Sequence, residues 1–205
     1  MSLEGYNKQR IALYYFMLGA KMHRPMRAMN YAEKLHQGTR KDGITPSFSH
    51  QIWIANYLRT LPLSENLLEQ VLTLAFLHDT PEDKGVSFEE ISRLFGPDIG
   101  DGVKRLTKKF RGVHVEETLY FSLLEEHLPS ALTKGVDRLH NISSMQGVFD
   151  LAKQKDYIKL TRQWHLPMLK KARKWHPECE GAFENIKQNL LGQISLIEAI
   201  HHASL

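Results

Sequence analysis

The chain has 205 residues, enough to bury a hydrophobic core without disulfides or a structural metal, so we expect one domain over residues 1–205. Its one cysteine, Cys179, excludes an intrachain disulfide and a thiolate-rich zinc site. The net charge of +4 is a small excess of Lys and Arg, which a solvated surface usually explains. No segment approaches the length of a membrane span, which needs about 20 apolar residues. We therefore expect a cytoplasmic protein with no membrane partner.

The hydrophobic pattern predicts an all-α protein. Apolar residues recur at spacings of three and four, while alternating, strand-like runs are nearly absent. We predict a single helical bundle of about eight to ten helices. Taken along the chain, the predicted helices cover residues 6–20, 25–37, 48–61, 65–79, 87–95, 98–109, 115–127, 129–145, 153–175 and 180–202.

A loop rich in Gly and Pro separates the second and third predicted helices at residues 38–46. It carries two cations, Arg40 and Lys41, and the next helix begins with His50 near its first turn. Loops held by a rigid scaffold often carry binding residues, and an imidazole at a helix end is well placed to bind a metal ion. This region is therefore a candidate part of a site.

The fourth predicted helix ends in the pair His78-Asp79, and Glu82-Asp83 follow it. An adjacent imidazole and carboxylate can both reach one divalent cation, and two further carboxylates can handle a water molecule. The alternative is a helix that simply ends in polar residues, since this dipeptide alone is common. Residues 80–86, which include a Pro and a Gly, are predicted to form a loop.

The next two helices have clear boundary signals. Ser87 and Glu90 have the spacing of a capping box, in which each residue satisfies a backbone amide of the first turn. Gly96 then permits a left-handed helix end, and Pro97 is suited to the first turn of the following helix. We therefore expect a helix break at residues 96–97.

The predicted helix over residues 129–145 offers a further carboxylate. Asp137 and Asn141 lie four residues apart, on one face of this helix. If the helices converge, the candidate ligands provide two nitrogens and two oxygens, a set suited to manganese, iron or zinc. These ligands are His50, His78, Asp79 and Asp137. We expect two further histidines, His36 and His140, to pack in the core or to support the ligands.

Five motifs, in this order along residues 25–175, carry a family resemblance. They are Ala32-Glu33-Lys34-Leu35-His36-Gln37-Gly38 with Arg40-Lys41-Asp42-Gly43, then Pro46 and His50, then Ala75 to Asp83, then Phe95-Gly96, then Lys134 to Asn141. The chain resembles the HD superfamily of metal-dependent phosphohydrolases. Within it, the chain is most similar to the RelA/SpoT-type hydrolase domain and the stand-alone small alarmone hydrolases.

The resemblance implies an all-α, HD-type bundle and a role for each motif. One divalent cation, most often Mn²⁺, would be bound by His50, His78, Asp79 and Asp137. The attacking water would be positioned or activated by Glu82 and Asp83, as the catalytic pair. The nucleotide would be contacted by Arg40, Lys41 and Asn141, with the Arg side chain stacked on a purine. The implied reaction converts guanosine tetra- or pentaphosphate (ppGpp or pppGpp) to GDP or GTP and pyrophosphate.

Two departures from the family pattern bear on the choice of substrate. Lys84 follows the Glu-Asp pair where the family commonly has Thr, and Phe48 lies in the segment before His50 where the family commonly has Tyr. An HD phosphohydrolase acting on a nucleotide 2′- or 3′-phosphate, such as NADPH or ppApp, therefore remains an alternative. A catalytically idle, nucleotide-binding HD module is another.

The C-terminal part of the chain offers two further expectations. Residues 162–174 are basic and include Trp164, but no nucleic-acid module motif accompanies them, so we expect a solvated helix face and no nucleic-acid partner. The helix over residues 180–202 closes the bundle or forms a homo-oligomer interface. Because the chain ends at Leu205, we expect a hydrolase without a synthetase domain.

Overall fold

The computed structural model describes residues 2–40 and 42–203, and its α-helices confirm the all-α prediction. In order, the helices are α1 (Leu3–Gly19), α2 (His23–Leu35), α3 (Ser49–Leu58), α4 (Glu65–Leu77), α5 (Thr80–Lys84), α6 (Phe88–Phe95), α7 (Pro97–Leu106), α8 (Glu117–Glu125), α9 (Leu128–Ser143), α10 (Leu151–Leu160), α11 (Leu166–Trp175) and α12 (Glu180–Ala203). None of these helices is both long and apolar enough to cross a membrane.

The boundary signals at α6 and α7 act largely as predicted. The Ser87 hydroxyl accepts a hydrogen bond from the Glu90 amide at 3.1 Å, which caps α6. The second half of the capping box is replaced by another contact, because the Glu90 carboxylate accepts from the Tyr31 hydroxyl at 2.7 Å. Gly96 ends α6 with a φ of 105°, and Pro97 lies in the first turn of α7.

Residues 80–86 were predicted to form a loop, and that prediction is wrong for most of them. Thr80–Lys84 form the short helix α5, with Pro81 in its first turn. A proline there is compatible with a helix because first-turn amides have no intrahelical acceptor. Gly85 ends the helix in the left-handed conformation, with a φ of 67°. The chain therefore turns from α4 into α5 at His78 and Asp79.

A small hairpin follows α7, where the prediction extended a helix to residue 109. Strands β1 (Lys109–Phe110) and β2 (Val113–His114) pair in antiparallel register. The two-residue turn between them has positive φ at both positions, 49° at Arg111 and 86° at Gly112. This turn geometry matches the twist of paired strands. Arginine rarely adopts a positive φ, so the sequence signal for the turn was weak.

The predicted helix over residues 153–175 contains an internal irregularity. Its two ends are α10 and α11, and Thr161–His165 between them form a π-helical turn. The guanidinium of Arg138 on α9 donates to the Thr161 hydroxyl and to the Tyr157 carbonyl, both at 2.7 Å. These bonds attach the irregular turn to α9.

The core is built around α4, whose residues from Val71 to Leu77 are all buried. Helices α2, α3 and α9 pack against α4, and α12 packs against α9. Because α4 is surrounded by helices, its apolar run needs no polar face. This packing brings the start of α3, the end of α4 and the middle of α9 to one place.

Gly135 permits the close packing of α9 against α11 and α12. A Cβ atom there would lie 2.8 Å from Leu169 Cδ2 and 3.1 Å from Ile186 Cγ2, both in the core. We predict that Gly135→Ala lowers the free energy of unfolding by about 1–3 kcal/mol, because overpacking outweighs the gain in helix propensity. Urea unfolding followed by circular dichroism measures this change.

The matched control is Gly192→Ala in α12, where an added Cβ meets nothing within 4 Å. There the same substitution should stabilise the protein by about 0.5–1 kcal/mol, since only the helix propensity changes. Equal effects at the two positions would contradict the packing argument.

Candidate metal centre and adjoining cavity

Three buried side chains from three helices converge at one point. They are His50 in the first turn of α3, His78 directly after α4 and Asp137 in α9. One candidate ligand atom from each lies within 4.8 Å of the other two. Asp137 Oδ1 is 3.1 Å from His50 Nε2 and 3.9 Å from His78 Nε2. The condition set by the sequence, that these helices converge, is therefore met.

Asp79, the fourth predicted ligand, lies on the open side of this cluster. Its Oδ2 atom is 3.0 Å from His78 Nε2 and 3.7 Å from His50 Nε2, and its side chain is 31% exposed. The buried Gln51 amide donates to the same oxygen at 3.3 Å. Asp79 thus lies beside the two imidazoles, at the edge of the cluster that His50, His78 and Asp137 form.

His78 has the hydrogen bonding of a metal ligand. Its Nδ1 atom lies 2.9 Å from the Ala75 carbonyl oxygen, which only accepts, so Nδ1 carries a hydrogen. The other nitrogen, Nε2, is buried and makes no hydrogen bond, although Asp79 Oδ2 lies 3.0 Å from it. Such an unsatisfied atom costs about 1–3 kcal/mol unless another group binds it. A divalent ion among these nitrogen and oxygen donors would satisfy it.

The electrostatics of the cluster also favour a bound cation. Burial raises the pKa of Asp79, but His78 and His50 outweigh burial and hold this pKa at about 2. Burial lowers the pKa of His78, and the carboxylates of Asp79 and Asp137 reverse this effect and raise it to about 9. The two carboxylates therefore favour positive charge at this point.

Two neighbours on α9 hold the Asp137 carboxylate. Lys134 Nζ lies 2.9 Å from Oδ2, and the Asn141 amide donates to Oδ1 at 2.7 Å. Burial raises the pKa of Asp137, but Lys134 and the two histidines bring it well below its usual value. Asn141, which was predicted to contact substrate, therefore orients the carboxylate of a candidate metal ligand.

A cavity of about 710 Å³ opens beside the cluster, within the size range of small-molecule sites. Its wall combines charged with aromatic side chains. The charged ones include Arg40, Asp79 and Asp83, and the aromatic ones include Trp53, Phe149 and Tyr157. Sequence reasoning did not single out Trp53 or Phe149, although Trp53 follows His50 by three residues on one helix face.

The structure brings Arg40 and Asn141 to the cavity wall. Partial burial lowers the pKa of Arg40, and the carboxylates of Asp42, Asp79 and Asp137 oppose this effect. Lys41, the other cation predicted to face substrate, lies outside the described residues.

Glu82 and Asp83, predicted as a catalytic pair, have different surroundings. Asp83 lines the cavity, where partial burial and the Asp79 carboxylate raise its pKa. The Glu82 carboxylate instead accepts hydrogen bonds from the amides of Lys108 and Lys109, the latter at 3.0 Å. Glu82 therefore connects α5 to the hairpin, and it is not part of the described cavity wall.

The departures from the family pattern have distinct locations. Phe48 is buried, and its ring packs between those of His36 and Phe76, at centroid distances of 6.2 and 6.1 Å. Lys84 is exposed at the end of α5.

His36 lines the cavity, and burial lowers its pKa to about 4, so the ring is neutral near pH 7. This histidine combines core packing with a place in the cavity wall.

Comparison with known sequences gives related proteins. Residues 28–118 match the family model of the HD domain. A GTP pyrophosphokinase rsh from Brucella melitensis is 33% identical over 127 residues, which are 58% of this chain and 16% of that protein. A probable guanosine-3′,5′-bis(diphosphate) 3′-pyrophosphohydrolase from Synechocystis sp. is 28% identical over 162 residues, 75% of this chain and 21% of that protein. The chain thus spans about a fifth or less of these relatives.

Comparison with solved structures gives a similar fold. A metazoan ortholog of SpoT, which hydrolyses ppGpp, has a TM-score of 0.64 to this chain. The match covers 84% of this chain and 94% of the other, at 24% sequence identity. At this level of identity, the likeness shows a shared fold.

The cluster generates a prediction about metal binding. We predict that Mn²⁺ at about 100 times its Kd stabilises the protein by about 2.7 kcal/mol, because the ion binds the folded state alone. For a chain of this size, that corresponds to an increase in Tm of about 5–10 °C. Differential scanning fluorimetry in chelator and in graded Mn²⁺ measures it.

Asp79→Asn should remove most of this stabilisation, since it deletes the charge of the most accessible ligand. The control is Asp101→Asn, which changes an exposed carboxylate on α7 that pairs with Arg105. An unchanged metal response in the Asp79 variant would contradict the proposed ligand set.

Proposed function

We propose that this chain, which carries an HD domain of the RelA/SpoT type, removes the 3′-pyrophosphate of ppGpp or pppGpp in a metal-dependent hydrolysis. The products are GDP or GTP and pyrophosphate. The observation that carries this proposal is the convergence of His50, His78 and Asp137, with Asp79 beside His78, next to a cavity of about 710 Å³. The names of the Synechocystis and metazoan relatives support the substrate.

The metal in this proposal is one divalent ion, with Mn²⁺ as the first choice. The mixed nitrogen and oxygen ligands suit Mn²⁺, and the Nε2 of His78, which makes no hydrogen bond, supplies a position for it. When bound, the ion lowers the pKa of an attacking water molecule and offsets phosphate charge. The cluster is preorganised for this, because Lys134 and Asn141 already orient Asp137.

We assign proton transfer to Asp83. Its carboxylate lines the cavity, and a pKa above the usual Asp value makes it a stronger base for the proton that the water loses. Glu82 supports the site differently, by connecting α5 to the hairpin through the Lys108 and Lys109 amides. This division revises the expectation that both carboxylates handle the water.

Binding of the nucleotide is assigned to the cavity wall. The Arg40 guanidinium is half-buried there and suits stacking on a purine. Trp53, Phe149 and Tyr157 add aromatic surface in the same cavity. Lys41 is proposed as a phosphate-facing cation from its sequence position alone.

The proposed reaction predicts which products the protein releases. With Mn²⁺ and ppGpp, the protein should release pyrophosphate and GDP, and His78→Ala should lower kcat/KM at least about 1000-fold by removing a ligand. Product separation after incubation with ppGpp, pppGpp, ppApp and NADPH measures it. Release of inorganic phosphate from NADPH alone would favour the 2′-phosphatase alternative. Tight nucleotide binding without turnover would favour an idle binding module.

The second prediction separates the two acidic neighbours. Asp83→Asn should lower kcat by about 10²–10⁴-fold, because it removes the proton acceptor. Glu82→Gln is the matched variant and should lower kcat less than about tenfold, since an amide oxygen can still accept from the hairpin amides. Steady-state kinetics in Mn²⁺ measures both, and an equal loss in the two variants would contradict the assignment.

A further inference from the structure

We infer that His140 is a positioning residue for His50: it accepts the Nδ1 hydrogen of His50 in the metal-loaded protein and turns an Nε2–H donor toward the cavity. This inference rests on the metal site of the proposed function. It does not depend on which nucleotide is hydrolysed.

The buried imidazoles of His50 and His140 are in direct contact. His50 Nδ1 and His140 Nδ1 are 2.7 Å apart, which is a short hydrogen-bond distance. His140 is 8% exposed, and its ring packs against that of Trp53 at a centroid distance of 4.7 Å. It follows Asp137 by three residues on α9, so one helix supplies both a ligand and a neighbour of a second ligand. The ring is therefore held at one edge of the cluster.

In the metal-loaded protein, His50 is the donor of this hydrogen bond and His140 is the acceptor. His50 faces Asp137 through Nε2, so binding a metal there requires a lone pair on Nε2. A neutral His50 then carries its one hydrogen on Nδ1, and His140 Nδ1 lies within hydrogen-bond distance to accept it. His140 must offer a lone pair at Nδ1, so its own hydrogen lies on Nε2. Each ring keeps one proton, and the pair stays neutral.

The second nitrogen of His140 is available to the cavity. His140 belongs to the cavity wall together with its neighbour Asn141. Since Nδ1 is engaged with His50, Nε2 is the nitrogen left for other contacts. A neutral N–H donor at this position can bond an acceptor oxygen of a phosphorylated ligand without adding charge.

The two histidine ligands are therefore held in different ways. His78 Nδ1 donates to a backbone carbonyl oxygen, which can only accept and has no proton that could change position. His50 Nδ1 is held by a second imidazole, whose hydrogen must change position if the tautomer of His50 changes. The choice of tautomer at His50 thus sets which nitrogen of His140 is a donor.

The first test reads the tautomers directly. The full chain labelled with ¹⁵N-histidine is loaded with Zn²⁺, a diamagnetic probe, and long-range ¹H–¹⁵N spectra assign the protonated nitrogen of each ring. We expect His50 protonated at Nδ1 and His140 at Nε2. A His140 ring protonated at Nδ1 in the loaded protein, or a failure of Zn²⁺ to bind, would overturn the inference.

The second test separates the acceptor from packing. His140→Phe keeps a ring against Trp53 but removes the acceptor, so we expect Zn²⁺ affinity to fall about 10–100-fold. His140→Asn places an amide oxygen near the position of Nδ1, so affinity should stay within about threefold of the parent. His114→Phe, on the exposed strand β2, is the control and should leave affinity unchanged.

Calorimetry at constant pH gives these affinities, and thermal denaturation in chelator confirms that each variant is folded. Equal affinities of the Phe variant and the parent, or equal losses in the Phe and Asn variants, would overturn the inference. Neither test measures hydrolysis. A protein that bound Zn²⁺ as expected but did not cleave ppGpp would refute the proposed function and leave the role of His140 intact.

Discussion

The buried carboxylate of Asp137 is the constraint on which the rest of the site depends. A negative charge in the middle of α9 is costly unless cations and hydrogen-bond donors surround it. Lys134 and Asn141 meet part of this need from the same helix. The remainder is met by the imidazoles of His50 and His78, and His78 Nε2 still makes no hydrogen bond. The cluster is thus preorganised for one more positive charge, which is the physical basis for expecting a metal ion.

The packing of α4 and α9 sets the positions of the site residues. The run from Val71 to Leu77 is fully buried, so this half of α4 lies in the core, and the polar pair His78-Asp79 follows where the helix ends. Gly135 removes the side chain that would keep α9 away from α11 and α12. Core packing and the geometry of the site therefore both depend on α4 and α9. A change that shifts α9 also moves Asp137, His140 and Asn141.

The candidate site divides into a rigid floor and a more open wall. The floor consists of candidate ligand atoms held by helices, by hydrogen bonds that Lys134, Asn141 and Gln51 donate, and by the contact between His50 and His140. The wall contains Arg40, from the loop before α3, and Asp83 on the short helix α5. This division fits the proposed chemistry, because metal ligands need fixed positions whereas a nucleotide must enter and leave.

The sequence by itself determined the all-α class and the approximate helices, because helical periodicity is a local property. It also gave His50, His78, Asp79 and Asp137 as candidate ligands, since motif order along a chain carries family information. Only the tertiary structure decided which side chains share a cavity. The partner of Glu82 is a hairpin amide 27 residues away along the chain, and the partner of His50 is a histidine 90 residues away. Contacts of that separation depend on how helices pack, and no local pattern encodes them.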